Sequence, residues 1–420
     1  MKIVILAYGS RGDVQPAVAL GQGLQSVGFD ITIGAGTDFE SFITDAGLPF
    51  AQFNANMQDL VNSEAGKNWL GGQSKNGLEE ITSMRRALLD MSGHVTDDVL
   101  CLTNDADVII SGLPLFPVAE TIAEKFDKRH INMQFMPLNP TKHGSATPRF
   151  PVSRGETILN KVAGYVSQMA LYWVFTDLLN DFRTELGLSK WSFGDYAYAY
   201  NQKVQILYGV SPQVIGTPSD WNDTQHITGY WFYDAPSDWQ PSDALCDFLN
   251  NGQAPIYIGF GSMSSQDPEK TANIMIDALT QSNQRGIIYS GWAGLQAHDL
   301  PDDIFLLDGV PHDWLFPQMA GVIHHGGAGT TSAGIRAGVP STIVWHMGDQ
   351  PYWGRRIHEL GIGSEPIARA NLSVDKLAKA INKMTTSSQM QRQAQELGAR
   401  ICQEDGIGNA VRIVQQILSE

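Results

Sequence analysis

Ile323-His-His-Gly-Gly-Ala-Gly-Thr-Thr-Ser332 reads as the end of a buried strand opening onto a phosphate. Residues 320–324 are short and mostly apolar, as a buried strand is. Gly326, Gly327 and Gly329 let the backbone turn tightly and approach a ligand with no Cβ in the way. Thr330, Thr331 and Ser332 supply hydroxyls where a helix is expected over 331–337. A helix N-terminus carries N–H groups without internal acceptors and a partial positive charge, which suits a diphosphate. His324 and His325 stand at the mouth as further donors. Many glycine-rich turns of this kind serve only tight packing, so the neighbouring segments decide.

Downstream, Pro340 to Val344 is another apolar, β-branched run, and it ends on Trp345, His346, Asp349 and Gln350. Open α/β sheets bind ligands outside the carboxyl ends of their strands, and both polar clusters fall there. Asp349 and Gln350 offer acceptors and one amide for vicinal sugar hydroxyls, or they form an ordinary loop before a helix starting near Tyr352. A phosphate turn and a hydroxyl-binding loop on adjacent strands together suggest a nucleotide sugar.

The other end of the chain carries a second turn. Lys2-Ile-Val-Ile-Leu-Ala7 reads as a buried strand, broken at Gly9-Ser-Arg-Gly-Asp-Val-Gln-Pro16 and followed by a helix expected over 17–27. The spacing is G-x-x-G, with no phosphate lysine after it, so neither a dinucleotide nor an ATP fingerprint is present. Asp13 stands at the tip of this strand, either as a helix cap or as a general base.

A chain of 420 residues exceeds one hydrophobic core, so two domains are expected. Strand–helix alternation from Met1 through strands at 107–111 and 130–134 is a doubly wound parallel pattern. It pauses at a proline-rich linker over 234–242 and restarts at Pro255. The helical stretch from Thr157 to Leu186 carries a dense set of aromatic and aliphatic side chains that suits core packing, an apolar acceptor pocket or a bilayer surface. Cys101, Cys246 and Cys402 fit neither a disulfide framework nor a zinc site, and a cytoplasmic location is expected. No run has the length of a membrane span, and the first residues enter a strand at once, leaving no room for a signal peptide. A net charge of −16 argues against nucleic acid and against strong binding to anionic lipid, leaving weak peripheral contact at the inner face of the membrane open.

Five segments carry a family resemblance: Gly9 to Pro16, Ile256-Tyr-Ile-Gly-Phe-Gly-Ser-Met263, Val310-Pro-His-Asp-Trp-Leu-Phe316, His324 to Thr331, and Gly348-Asp-Gln350 with Trp353-Gly-Arg-Arg356. In this order they resemble the family 1 glycosyltransferases, and among them the sterol 3β-glucosyltransferases and the bacterial glycopeptide and other natural-product glycosyltransferases. The match is looser between about Asn54 and Tyr200.

The resemblance implies an α/β chain of GT-B architecture, two facing Rossmann-like doubly wound domains with the active site in the cleft between them. It implies an N-terminal acceptor-binding domain with the catalytic base over 1–235 and a nucleotide-sugar donor-binding domain over 236–407. A final helix over 408–420 crosses back to the first domain. The activity implied is an inverting O-glycosyltransferase, a UDP-dependent hexosyltransferase. It moves glucose from UDP-glucose to a hydroxyl of a lipophilic acceptor such as a sterol or related polycyclic alcohol. The alternatives are a natural-product (antibiotic, phenolic or flavonoid) glycosyltransferase using a UDP- or dTDP-sugar and, from another class, a non-catalytic sugar-nucleotide-binding protein.

Carried onto this sequence, Asp13 takes the acceptor proton and His324 stabilises the leaving diphosphate. An aspartate rather than a histidine in the first turn points to the sterol-like and antibiotic-like branch. Ser10, Arg11 and Gly12 frame that turn, while Gly261 and Ser262 reach a phosphate oxygen. Val310 pairs with the base beside His312. Trp292 stacks on it, because Gly309 stands where the plant branch has a tryptophan. Gly326, Gly327, Ala328, Gly329 and Thr330 cradle the diphosphate, and Trp345, His346, Asp349 and Gln350 hold the hexose. No prosthetic group, no metal ligands and no requirement for Mg²⁺ are expected, since no Asp-x-Asp motif stands in a suitable place. The partners are two small molecules and no nucleic acid, with a monomer or homodimer as the assembly.

Overall fold

The computed structural model describes residues 1–54, 77–146, 155–236, 238–260, 268–289 and 300–419. They divide into two compact units, one gathering the residues up to Tyr233 with those from Asp405 onward, the other running Asp234–Glu404.

The first unit is built on seven parallel strands: β1 (Lys2–Leu6), β2 (Asp30–Ala35), β3 (Phe50–Gln52), β4 (Val108–Gly112), β5 (Arg129–Gln134), β6 (Gln205–Tyr208) and β7 (Gln225–Ile227). Their order in the sheet is β3-β2-β1-β4-β5-β6-β7. Parallel strands need crossovers, which here are mostly helices: α1 (Arg11–Ser26), α2 (Gly77–Leu102), α3 (Phe116–Phe126) and α4 (Ile158–Glu185). Helices on both faces bury the central strands β1 and β4, which read as continuous apolar runs, while the edge strands β3 and β7 are only partly buried. In β1 the two-residue period sends Ile3 and Ile5 to one core and Val4 and Leu6 to the other.

The second unit repeats the plan with β8 (Ile256–Gly259), β9 (Gly286–Tyr289), β10 (Ile304–Leu307), β11 (Gly321–His324), β12 (Ser341–Trp345) and β13 (Ile367–Ala368). The order β10-β9-β8-β11-β12-β13 is that of a dinucleotide-fold sheet. The order reverses between β8 and β11, and the crevice that such a reversal opens at the strands' carboxyl ends is where these sheets hold ligands. Helices α5 (Ala328–Arg336) and α6 (Gln350–Glu359) follow β11 and β12 directly.

Several helices start earlier than the sequence suggests, by two residues at Gln350 and Gly406 and by more at the two turns. Helix α1 begins at Arg11, not Ala17, and carries Pro16 inside it. A proline at that point removes one intrahelical bond, which the Ser10 cap and an apolar inner face outweigh. Helix α5 begins at Ala328, three residues before the expected Thr331, so its free end lies on the glycine turn itself.

The last helix, α7 (Gly406–Ser419), packs against α1 in the first unit. Ala410, Val411 and Val414 enter the core that holds Leu20 and Leu24. Gly23 on α1 lets α7 approach, because a Cβ there would lie 2.6 Å from Ile407. Asn409 donates to the Thr228 carbonyl at 2.9 Å, and the Arg129 guanidinium donates to the Ile417 carbonyl near the end of α7. Val414→Ala should lower the stability of the first unit by about 2 kcal/mol in urea denaturation, through lost burial and an unfilled cavity.

Candidate active site

In the first unit the turn after β1 points its polar groups out of the sheet's carboxyl end. Ser10 caps α1: its Oγ accepts from Gly12 N at 3.2 Å, and its own N–H donates to Asp13 Oδ2 at 2.8 Å. The Ser10 hydroxyl also donates to Asp13 Oδ2, at 3.2 Å. Both bonds fall on one carboxylate oxygen, and Oδ1 has no hydrogen bond among the described residues. Asp13 therefore caps the helix and still presents an acceptor, so the two roles do not compete. The side chain is half-buried, and the desolvation around it raises its pKa above the ordinary carboxylate value against the opposing pull of the Ser10 bonds. Gly9 has φ +154°, and a Cβ there would lie 2.2 Å from Asp13 Oδ2, so glycine is what admits the carboxylate. Arg11 turns along the helix, its Nε donating to Gln15 Oε1 at 3.3 Å and its guanidinium lying 5.1 Å over the Phe42 ring.

In the second unit His324 ends β11 beside Gly259 of β8, at the reversal of strand order. Its Nδ1 accepts from Gly326 N–H at 3.1 Å. That bond puts the proton of the neutral ring on Nε2. Nε2 is buried and has no partner among the described residues. Burial, with His325 and His312 adding to it, holds the His324 pKa well below the ordinary histidine value. The side chain is thus a neutral N–H donor. Gly326 makes the turn at φ +97°, with no room for a Cβ against Ile343.

The amides of Ala328, Gly329 and Thr330 belong to the first turn of α5, where a helix has no internal acceptors. A Cβ at Gly329 would meet nothing within 4 Å, so the backbone is open to close approach there. Buried polar atoms without partners among the described residues collect around this turn: His325 Nδ1, Thr331 Oγ1 and His346 Nε2 join His324 Nε2. Burial pushes the His325 pKa down to about 4. Burial, Arg369 and His325 push that of His346 down to about 3. Buried, uncharged polar groups beside a helix N-terminus, with His324 Nε2–H among them as a donor, are chemistry for an anion.

Asp349 and Gln350 open α6, and both are partly engaged at home. Asp349 Oδ2 accepts from Trp353 Nε1 at 2.6 Å. Gln350 Oε1 accepts from His346 N at 2.7 Å and Met347 N at 3.1 Å, which fixes the loop after β12. Trp345 is half-buried at the end of β12. His312 stacks on Phe316 with ring centroids 4.2 Å apart, and Val310 packs against the same core. His324, Gly326, Gly327, Ala328, Gly329, Thr330, His346 and Gln350 thus sit on one edge of one sheet. Gly261, Ser262 and Trp292 lie outside the described residues. Thr331 and His325, read from the sequence as donors at the turn, fall in the same place, and the structure adds Arg369, whose charge acts on His346. Arg355 has Nη2 buried without a partner among the described residues, while Arg356 pairs with Glu359 at 3.3 Å. Among the described residues no group of three or more His, Cys, Asp or Glu could hold a metal ion.

Comparison with known proteins follows the same division. Residues 3–103 match the glycosyltransferase family 28 N-terminal domain, and residues 273–411 match the C-terminal domain described as erythromycin biosynthesis protein CIII-like. The sterol 3-beta-glucosyltransferase UGT80B1 of Arabidopsis thaliana is 35% identical over 425 residues, covering 98% of this chain and 67% of that protein. A sterol 3-beta-glucosyltransferase of Neosartorya fischeri is 32% identical over 439 residues, covering 100% of this chain and 30% of that one. The chain therefore spans about two thirds or less of the curated relatives it matches. Among solved structures, the Streptomyces sp. SF2575 glycosyltransferase SsfS6, complexed with thymidine diphosphate, has a TM-score of 0.66 at 18% identity, covering 99% of both chains. That likeness gives the fold, GT-B.

The three buried imidazoles make stability depend on pH. Their folded pKa values lie below the unfolded value of about 6.5, so the unfolded chain takes up protons first on acidification. The second unit should lose stability as the pH falls below about 6.5, with His325 ceasing to contribute only below about pH 4. Imidazole ¹⁵N spectra should show His324 neutral at pH 5.5, and an imidazolium there would contradict the assignment.

Proposed function

We propose that this chain, which belongs to the family of the sterol 3β-glucosyltransferases, transfers glucose from a nucleoside diphosphate to the hydroxyl of a sterol or similar polycyclic alcohol. The observation that carries the reading is the neutral, inward-locked His324 with its buried Nε2–H beside the free end of α5. In this reading the first unit binds the acceptor and the second binds the donor. The relatives' shared activity on sterols with glucose supports the substrate pair, and uridine is the base we assign to the donor.

The chemistry divides between two anchored side chains. As the acceptor oxygen bonds to the anomeric carbon, its proton passes to Asp13 Oδ1 and the bond from that carbon to the diphosphate oxygen breaks. Attack from the opposite side inverts the anomeric centre. A desolvated carboxylate accepts a proton more readily than one in water, and the transfer becomes favourable late, when the alcohol is already acidic. The charge left on the diphosphate falls on His324 Nε2–H, Thr331 Oγ1–H and the first amides of α5. These preorganised donors need no reorganisation as the charge develops. Asp349 and Gln350, fixed by Trp353 and by the backbone at His346 and Met347, hold the hexose hydroxyls. In this reading Mg²⁺ is not required. Cys101, Cys246 and Cys402 are free, which fits a reducing compartment.

Incubation with UDP-glucose and a pool of sterols, flavonoids and phenols, read by mass spectrometry, tests the reading. A sterol hexoside is expected, and products only from phenols would overturn the acceptor. Asp13→Asn should lower turnover by about 100-fold or more while UDP affinity stays within about twofold. His324→Ala should weaken UDP binding by about tenfold, the effect of losing one hydrogen bond to a charged group. Gly329→Ala should leave the melting temperature unchanged, since its Cβ meets no protein atom, yet weaken UDP binding in calorimetry.

A further inference from the structure

Helix α4 is built inside out over its first two thirds. Ile158, Leu159, Val162, Tyr165, Val166, Met169 and Trp173 are all exposed, from 39% at Val166 to 66% at Leu159. At 100° per residue these seven fall within about 120° of arc, a continuous stripe roughly 22 Å long. The inward face of the same stretch carries Asn160, Gly164, Ser167 and Gln168. Asn160 Nδ2 donates to the carbonyls of Lys142 at 2.9 Å and Gly155 at 3.0 Å. Gln168 Oε1 accepts from Asn201 Nδ2 at 2.9 Å, and Gly164 lies flat against Pro140 and Ser145. A helix on a water-facing surface shows the opposite arrangement. Small and polar residues inward with large apolar ones outward is the arrangement of a helix whose outer medium is hydrocarbon. Beyond Trp173 the pattern reverts, and Val174, Phe175, Leu178, Leu179 and Phe182 turn into the core.

We propose that this stripe docks onto the surface of a lipid bilayer, with the first two thirds of α4 lying in the interface. The stripe is locally uncharged, which suits an apolar medium: between Ile158 and Thr176 the one charged side chain is Lys161, and it pairs with Asp220 at 3.0 Å. The aromatic pair favours the headgroup level, since Tyr165 and Trp173 each join an apolar body to a polar edge. Trp173 also carries the Arg85 guanidinium 4.4 Å over its ring, and Asp177 pairs with that guanidinium, so the end of the stripe gains no net charge from it. The shape is a single protruding helix, which a fluid surface accommodates without a matching groove. Among the described residues no helix is long and apolar enough to cross a membrane, so the contact is peripheral. This inference stands on α4 rather than on the acceptor assigned above, although a bilayer is where a sterol is dissolved.

Flotation of the purified chain with sterol-free vesicles of phosphatidylcholine tests it independently of the acceptor. The unmodified chain should float with the vesicles. Leu159→Glu/Val162→Glu/Met169→Glu should cut the bound fraction about tenfold or more, with melting temperature and UDP affinity unchanged. The milder Leu159→Ser/Met169→Ser variant should fall between them. Failure of the unmodified chain to float, or equal flotation of the variants, would overturn the proposal. So would a lowered melting temperature for both variants in free solution, which would show the stripe packed within the chain. A dimer in sedimentation equilibrium that dissociates in the variants, without vesicle binding, would assign the stripe to a second copy and also overturn it.

Discussion

The hydrogen bond from Gly326 N–H to His324 Nδ1 is the constraint on which the proposed donor chemistry rests. It is made inside the turn itself, so it forms as soon as β11 ends and the glycine takes its left-handed conformation. It does three things at once. It fixes the ring's orientation, it leaves the proton on Nε2, and it satisfies an amide that the tight turn would otherwise bury alone. Burial then keeps the ring uncharged, so the site offers a donor rather than a fixed cation. A neutral donor in a dry site strengthens as negative charge develops on a leaving diphosphate, which is the behaviour catalysis needs.

Asp13 follows the same principle in the other unit. One oxygen is anchored by Ser10 within its own turn, and the other stays open. Each side chain is therefore positioned by a local bond to its own helix start or strand end, not by long-range packing alone. The scaffold beneath both is a parallel sheet whose strand order reverses once, and each turn follows a strand bordering that reversal, β1 in one sheet and β11 in the other. Gly9 is needed because a Cβ there would meet Asp13, and Gly326 because its φ is +97° and a Cβ there would meet Ile343.

Much of this was legible in the sequence because parallel strands buried on both faces leave unbroken apolar runs. Lys2–Leu6, Val108–Gly112 and Gly321–His324 are read directly as strands, and the residues at their carboxyl ends are read as ligand groups. The helix starts were less legible, since glycine and proline in 9–16 and 326–329 signal a turn, while the caps that allow early helices act through side-chain bonds. The engagement of Asp349 with Trp353 is an i to i+4 contact that appears only once α6 is known to start at Gln350. The inverted face of α4 was hidden for another reason. Its apolar residues are dense enough to suit a core, and only the packing of Asn160, Gly164 and Gln168 inward shows which side faces out.

The central claim, that His324 Nε2–H is the donor to a diphosphate, is tested most directly by titrating UDP into protein labelled with ¹⁵N-histidine. The account predicts a downfield shift and slowed exchange of the His324 Nε2–H signal as UDP binds, with the ring remaining neutral and Nδ1 unprotonated. UDP binding that leaves the His324 signals unmoved, or that converts the ring to the imidazolium, would contradict it.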